Sequence, residues 1–497
     1  MGYRIPSLHL IGLAVLLCAG IAAAQTSPVP EIQIKTSEQQ SISAIAVSPD
    51  GGVLASARYS PDGGEIRIGK NDSIDLWPLR SASTPHSFAR ELHPIRSLAF
   101  SHDSQWLGAA SQGLQTIRDE RPGIEIFVGK VYLWHVADGA QSKLKWDILG
   151  VYAVPGTYDE WSATSVAFSP DDKQVVADVF VVDDLPRYDE RIFFFDIATG
   201  RAVNSTELDD DYLLGFFARR FSWLSPDGRR AFVLRGNKPA LIDTLSGRRV
   251  QAFAPSQIFF HPSDQDSCAL GIYAFGFTAF APDMQQMAIA NDDELEIRDA
   301  KTGAKKVQTT LDRNSDVLRS LAAAFSPDGS SLAVSRCGPK SEIGLYETAT
   351  LKLRASLPVE SVQTSMQYAP VGTLLFTGGY DGAVRVWETE RGSLVATLVR
   401  SPHDQWIVFT PDGLYDASAN GASLLAWRLK DQNVLASKLA DMRLPGLLSK
   451  LVSGEHPKPT KPLIAAISDA LTHMDHRGLS AAPQGNNRRS TTAFIAP

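Results

Sequence analysis

Asp209, Asp210 and Asp211 stand in a row, and carboxylates at that density could ligate a calcium ion. A calcium loop alternates its ligands and breaks them with a glycine turn, so this run reads instead as a solvated acidic loop. His473 and His476 sit in a polar tail, and two imidazoles alone fall short of a zinc set. Beyond Cys18 the only thiols are Cys268 and Cys337. They are too few for a disulfide scaffold or a cysteine-rich metal site, although the two could pair in an oxidising compartment. His-Glu-x-x-His, Cys-x-x-Cys, Gly-x-Ser-x-Gly and phosphate-loop patterns do not occur. No catalytic residue, metal set or cofactor is therefore expected.

Aromatic side chains beside acids form a richer pattern. Tyr152, Tyr158, Trp161, Tyr188, Tyr212, Phe216 and Phe217 interleave with Asp159, Glu160, Asp183, Asp184, Asp189 and Glu190. Aromatic anchors among polar groups suit a surface that binds a protein or peptide, although each ring could equally pin its own loop. A nucleic-acid partner is not expected: the formal charge is -7 and no basic stripe appears. The oligomeric state is not legible.

The elements that position these residues follow from a repeated phrase. An apolar segment ends in Ser-Pro-Asp-Gly or a near copy. It appears at Ser48-Pro49-Asp50-Gly51, Ser101-His102-Asp103, Ser169-Pro170-Asp171, Ser225-Pro226-Asp227-Gly228, Ala281-Pro282-Asp283, Ser326-Pro327-Asp328-Gly329, Ala369-Pro370-Val371-Gly372 and Thr410-Pro411-Asp412-Gly413. Proline fixes φ, aspartate bonds its own backbone and glycine accepts positive φ, so each phrase predicts a hairpin turn between two strands. The aspartates are turn formers rather than ligands or bases. Between copies, a strand such as Val384-Arg385-Val386-Trp387 runs into a second tight turn at Arg391-Gly392. Each unit thus offers four strands, a to d. A lone sheet of this kind cannot bury both faces, whereas sheets stacked around an axis can.

The chain resembles the WD40-repeat superfamily in its divergent bacterial form, over residues 31–429. Asp381 to Trp387 carries the family's strand-c pattern. The resemblance implies an all-β, WD40-like β-propeller. Eight phrases suggest eight blades, with seven as the alternative; strand-like Glu31 to Lys35 would complete the last blade as its outer strand. The family's Gly-His dipeptide is essentially absent, with only His93 near such a position, so its buried Asp-His-Ser-Trp network is not expected. The segment from Trp406 to Asp416 also resembles the last propeller unit of bacterial proteins that join WD40 repeats to a caspase-like peptidase; a peptidase domain is not expected in the residues that follow it here.

Residues 1–24 read as a signal peptide: Arg4, an apolar run from Leu8 to Ile21, then Ala22-Ala23-Ala24. The mature chain is expected in the periplasm or secreted, without stable membrane insertion. Residues 430–453 are expected to form a short C-terminal helical extension, with the helix spanning 433–452. Residues 454–497 read as a linker and a disordered tail, with a helical patch at 463–472. In an antiparallel blade the b–c and d–a connections share one face, and all the long connections fall in those classes. The expected function is a non-enzymatic scaffold binding through that face. The alternatives are a propeller hydrolase or lactonase working at the central channel, and a regulatory module for a peptidase on another chain.

Overall fold

The structure, a computed structural model, describes residues 30–34, 40–59, 72–90, 94–111, 114–115, 126–127, 130–142, 144, 160–182, 188–207, 220–235, 238–253, 277–290, 294–311, 319–337, 341–401, 403–475 and 493–495. Strand β1 (Glu31–Ile34) opens it. Among the described residues, seven largely antiparallel sheets follow in chain order. The first holds β2 (Ser41–Val47), β3 (Val53–Tyr59), β4 (Ser73–Pro78) and β5 (His86–Arg90). The second holds β6 (Ile95–Phe100) and β7 (Trp106–Ser111), then, after the short strands β8 (Leu114–Gln115) and β9 (Ile126–Phe127), β10 (Lys130–His135) and β11 (Gln141–Ser142). The third holds β12 (Glu160–Phe168), β13 (Gln174–Val182), β14 (Tyr188–Asp196) and β15 (Ala202–Glu207), with β8 and β9 added at its edge. The fourth runs through β16 (Arg220–Leu224), β17 (Arg230–Arg235), β18 (Lys238–Asp243) and β19 (Arg249–Ala252). The fifth runs through β20 (Phe277–Phe280), β21 (Gln286–Ala290), β22 (Glu294–Asp299) and β23 (Lys305–Thr310). The sixth is β24 (Arg319–Phe325), β25 (Ser331–Cys337), β26 (Glu342–Glu347) and β27 (Leu353–Pro358). The seventh is β28 (Gln363–Tyr368), β29 (Leu374–Gly379), β30 (Ala383–Glu388) and β31 (Ser393–Arg400).

Apolar clusters stitch each sheet to the next. Ala55 and Ile74 of the first meet Leu107 and Trp134 of the second. Leu133 meets Phe168 and Phe193, Phe194 meets Val233, and Phe232 meets Met287. Ile297 meets Leu332, and Leu345 meets Leu375. The first sheet also packs on the seventh, where Ile42, Leu54 and Trp77 share a core with Phe376, Val386 and Leu398. A register shift recurs in the first strand of five sheets, at Ile42/Ala44, Ile95/Ser97, Ala163/Ser165, Ser320/Ala322 and Gln363/Ser365. Such bulges increase local twist and bend the strand.

The chain's end departs from expectation. Trp406 to Ala417 does not start a further unit. Strands β32 (Trp406–Phe409) and β33 (Tyr415–Ala417) extend the seventh sheet outward from β31. The inner position beside β28 is already taken by β2: Ser41 Oγ donates to Tyr380 O (2.8 Å) and Val47 N to Gln367 Oε1 (2.9 Å). All four residues of β32 are buried, between two different clusters. A strand covered on both faces reads as an unbroken apolar run, which is what Trp-Ile-Val-Phe is. Strand β1 does meet the last unit, yet as an interior strand of a separate sheet. Its neighbours there are β34 (Leu425–Leu429), which also pairs with β35 (Gln432–Leu435), and β36 (Ala493–Ile495).

The helix expected over 433–452 is shorter. Residues 432–435 form β35, reversed through Lys430 at φ 57, because Val434 fills the core beneath Trp427. Two 3-10 turns follow, at Ala436–Lys438 and Ala440–Met442. Helix α1 spans only Leu447–Val452, after Gly446 at φ 72. Helix α2 covers Leu463–Asp475. The tail read as disordered contributes β36. No helix among the described residues is long and apolar enough to cross a membrane.

Candidate functional site

The turn aspartates are fully engaged locally. Ser48 Oγ donates to Asp50 Oδ1 (2.5 Å) and accepts from Val53 N (2.9 Å), while Asp50 Oδ1 also accepts from Gly52 N (2.8 Å). The Ser–Asp bond recurs at Ser101–Asp103, Ser169–Asp171, Ser225–Asp227 and Ser326–Asp328. The hydrogen bond from Ser326 holds the Asp328 carboxyl below its ordinary value, and that from Ser48 does the same for Asp50. A carboxylate held ionised by its own turn is a poor proton acceptor for chemistry.

Buried polar chains lie at strand level. Trp77 Nε1 donates to Ser56 Oγ (3.0 Å) in the first sheet. In the seventh, Trp387 Nε1 donates to Thr377 Oγ1 (3.1 Å), which donates to Gln363 Oε1 (2.7 Å). Tryptophan and hydroxyl thus keep their bond with a glutamine, not a histidine, as third member. His93 lies outside the described residues.

The densest electrostatic cluster sits at the seam between the first and seventh sheets. Arg58 Nε meets Asp75 Oδ2 at 2.5 Å, and Arg400 Nε lies 3.1 Å from Asp75 Oδ1. Ser87 Oγ donates to Asp75 Oδ1 (2.9 Å), Arg58 Nη2 to Ser73 Oγ (2.8 Å), and Arg58 Nη1 to Gln40 Oε1 (2.7 Å) and Arg400 O (3.1 Å). Asp75 is fully buried, and the side chains of Arg58 and Arg400 are each 2% exposed. Two guanidinium groups therefore share one buried carboxylate. Arg400 Nη2 turns to Asp404 Oδ1 (2.7 Å), whose side chain is 57% exposed. Arg400 Nη1 is buried without a hydrogen-bond partner, and its Nε, though close to Asp75, is not aligned to bond it.

This cluster opens on a cleft of about 750 Å³. One wall is the connection from β4 to β5, residues 79–85, which is longer than the matching turns in the other sheets. The second wall is Arg400, Asp404 and β32; the third is the segment around Arg443 and Gly446. Arg443 Nη2 donates to Ala417 O (2.8 Å), and Asp416 Oδ2 accepts from Gly446 N (2.7 Å), which fixes that third wall.

The aromatic residues singled out from the sequence fall differently. Tyr152, Tyr158, Tyr212 and Phe216 lie outside the described residues, as does Cys268. Trp161 and Tyr188 were assigned to connections, yet both are in strands: Trp161 pairs with Val181 and Tyr188 with Val182. The apolar run through Val179–Val182 prolongs β13, and both neighbours follow it, leaving residues 183–187 as the connection. Cys337 ends β25 opposite Arg319. Among the described residues, no three His, Cys, Asp or Glu side chains are grouped as a metal set. The seam cluster was not found from sequence; the only local signal was the longer turn at 79–85.

Residues 352–388 match the family model described as WD domain, G-beta repeat. The matched stretch is the outer strand of the sixth sheet plus the three inner strands of the seventh, so the sequence unit bridges two sheets. Among solved structures, the β-propeller domain of Myceliophteria thermophila Cps50 (Swd1) is 14% identical, with 72% of this chain and 98% of that chain covered at a TM-score of 0.47. The C-terminal WD40 domain of Sif2 is 12% identical, with 70% and 81% covered at a TM-score of 0.40. At such scores neither adds to the assignment, which rests on the repeat match and the succession of sheets. The chain carries a WD40 repeat within an all-β, WD40-like propeller with many four-stranded sheets.

Proposed function

We propose that this chain is an exported, non-enzymatic scaffold whose seven successive sheets form one ring and whose protein or peptide partner binds at the edge bearing the long connections. WD40 propellers are generally non-enzymatic protein-interaction scaffolds. The packing of the first sheet on the seventh supports a ring of seven, with the further turn at Thr410 to Gly413 belonging to an outer extension.

The observation that carries the binding face is the one-sided distribution of connection lengths. Residues 60–72, 112–129 and 183–187 join second to third strands, and residues 143–159, 208–219, 253–276 and 311–318 join one sheet to the next. In antiparallel sheets both classes leave from the same edge. Connections on a rigid scaffold are where recognition is usually placed. The apolar leader at residues 8–21 supports a periplasmic or secreted location.

The test immobilises the full chain and a Trp161→Ala/Tyr188→Ala variant and challenges both with a cell-envelope extract. Proteins retained by the wild type and lost from the variant are the expected result. Identical sets on both surfaces contradict the assignment of the face.

A further inference from the structure

We propose that the outer edge of β1 is a strand-addition site for a short, extended, uncharged peptide segment, and that the chain's own residues 493–495 are its resident occupant. The site belongs to the sheet that β1 forms with the C-terminal strands, and it does not depend on the reading of the long connections.

The edge demands a strand. β1 lies between β34 on one side and β36 on the other, antiparallel to both. Gln33 and Ile34 are buried, and Ile34 shares a core with Trp427 and Val434. Backbone N–H and C=O groups in such a strand are costly to leave unpaired, and an open edge invites another chain. Ile32, Gln33 and Ile34, which pair with β36, carry no charge, and neither do Ala493, Phe494 and Ile495 opposite them. Recognition there rests on main-chain bonds to a segment without charge, which is the chemistry of strand addition.

The occupant is held lightly. Three residue pairs join β36 to β1, against four between β1 and β34 and six between β3 and β4. β35 continues from β34 through Lys430 and Asp431 and sets Val434 in the core. β36 instead follows α2 by residues 476–492, which include Gly478, Pro483 and Gly485. At up to about 3.4 Å per residue, that span lets the strand leave and return while β1, β34 and β35 stay paired. A tether of this kind presents its strand at an effective concentration on the order of millimolar. That fills a weak site when nothing competes and yields it to a better strand.

Fluorescence anisotropy with a labelled peptide of residues 490–497 tests this on the full chain and on a Phe494→Pro/Ile495→Pro variant. Adjacent N–H groups point to opposite sides of a strand, so two consecutive prolines remove a ladder donor in either phase. The variant should bind the peptide about tenfold more tightly than the wild type, whose tethered strand competes. A peptide bearing the same two prolines should bind neither. Hydrogen exchange on the wild type needs no variant: saturating peptide should speed exchange at 493–495 and leave β1 protected. Equal affinity for both proteins, no binding to the variant, binding of the proline peptide, or amides at 493–495 as protected as those of β34 each overturn the proposal. So does a wild type that sediments as a dimer and dissociates on the double substitution, since the edge would then belong to a second copy.

Discussion

Asp75 is a fully buried carboxylate that meets both Arg58 and Arg400, so its charge bears directly on whether the seam is tolerable. Asp75→Asn keeps the shape and removes the charge. Breaking a buried ion pair by deleting one partner costs about 3–5 kcal/mol, and the variant should lose stability of that order in urea denaturation; a loss below about 1 kcal/mol would show that solvent already screens the pair. Beyond the longer turn at 79–85, nothing local announces this group, because Arg58 and the Arg400 carbonyl it binds are 342 residues apart. The turn aspartates are the opposite case. Asp50 finds Ser48 and Gly52 two residues away on either side, so its role could be read from residue types alone.

Strands were legible where burial is one-sided or the turn chemistry is local, and less so where an element is sandwiched. Trp406 to Phe409 has the same composition as an inner strand, and only the occupied position beside β28 sends it outward. Likewise Asn433 to Leu435 fits a helical pattern by spacing, yet pairing with Ala426 to Arg428 outweighs that weak preference. Helix α1 is too short to be stable alone, so its order derives from the core it caps. Leu447 is fully buried in the cluster that holds Trp77 and Trp406. Leu447→Ala should cost about 2–5 kcal/mol by chemical denaturation, whereas a surface element would lose well under 1 kcal/mol.

At the scale of the molecule, repetition multiplies small effects. A side-chain hydrogen bond from the turn serine or threonine lowers the carboxyls of Asp50, Asp171, Asp196 and Asp328, and one from a backbone amide lowers Asp138 and Asp299. Each is depressed in the fold relative to an ordinary value of 3.8, so its contribution is present above that pH and is lost as pH falls through the depressed value. The thermal midpoint should therefore drop below about pH 4, and a Asp50→Asn/Asp328→Asn variant should show a shallower drop. A midpoint indifferent to acid would contradict the shared turn mechanism. The succession of sheets was legible because each repeats its own punctuation; how the chain's ends meet was not, since it depends on which surfaces remain uncovered. That meeting has a consequence for biosynthesis. Glu31 to Ile34 pairs with Leu425 to Arg428, and Ser41 bonds the carbonyl of Tyr380, so Ser41 waits for a partner made 339 residues later. Until then a nascent chain rich in finished sheets presents an open flank at each extremity, and whatever shields it from its neighbours must act during that interval rather than before it.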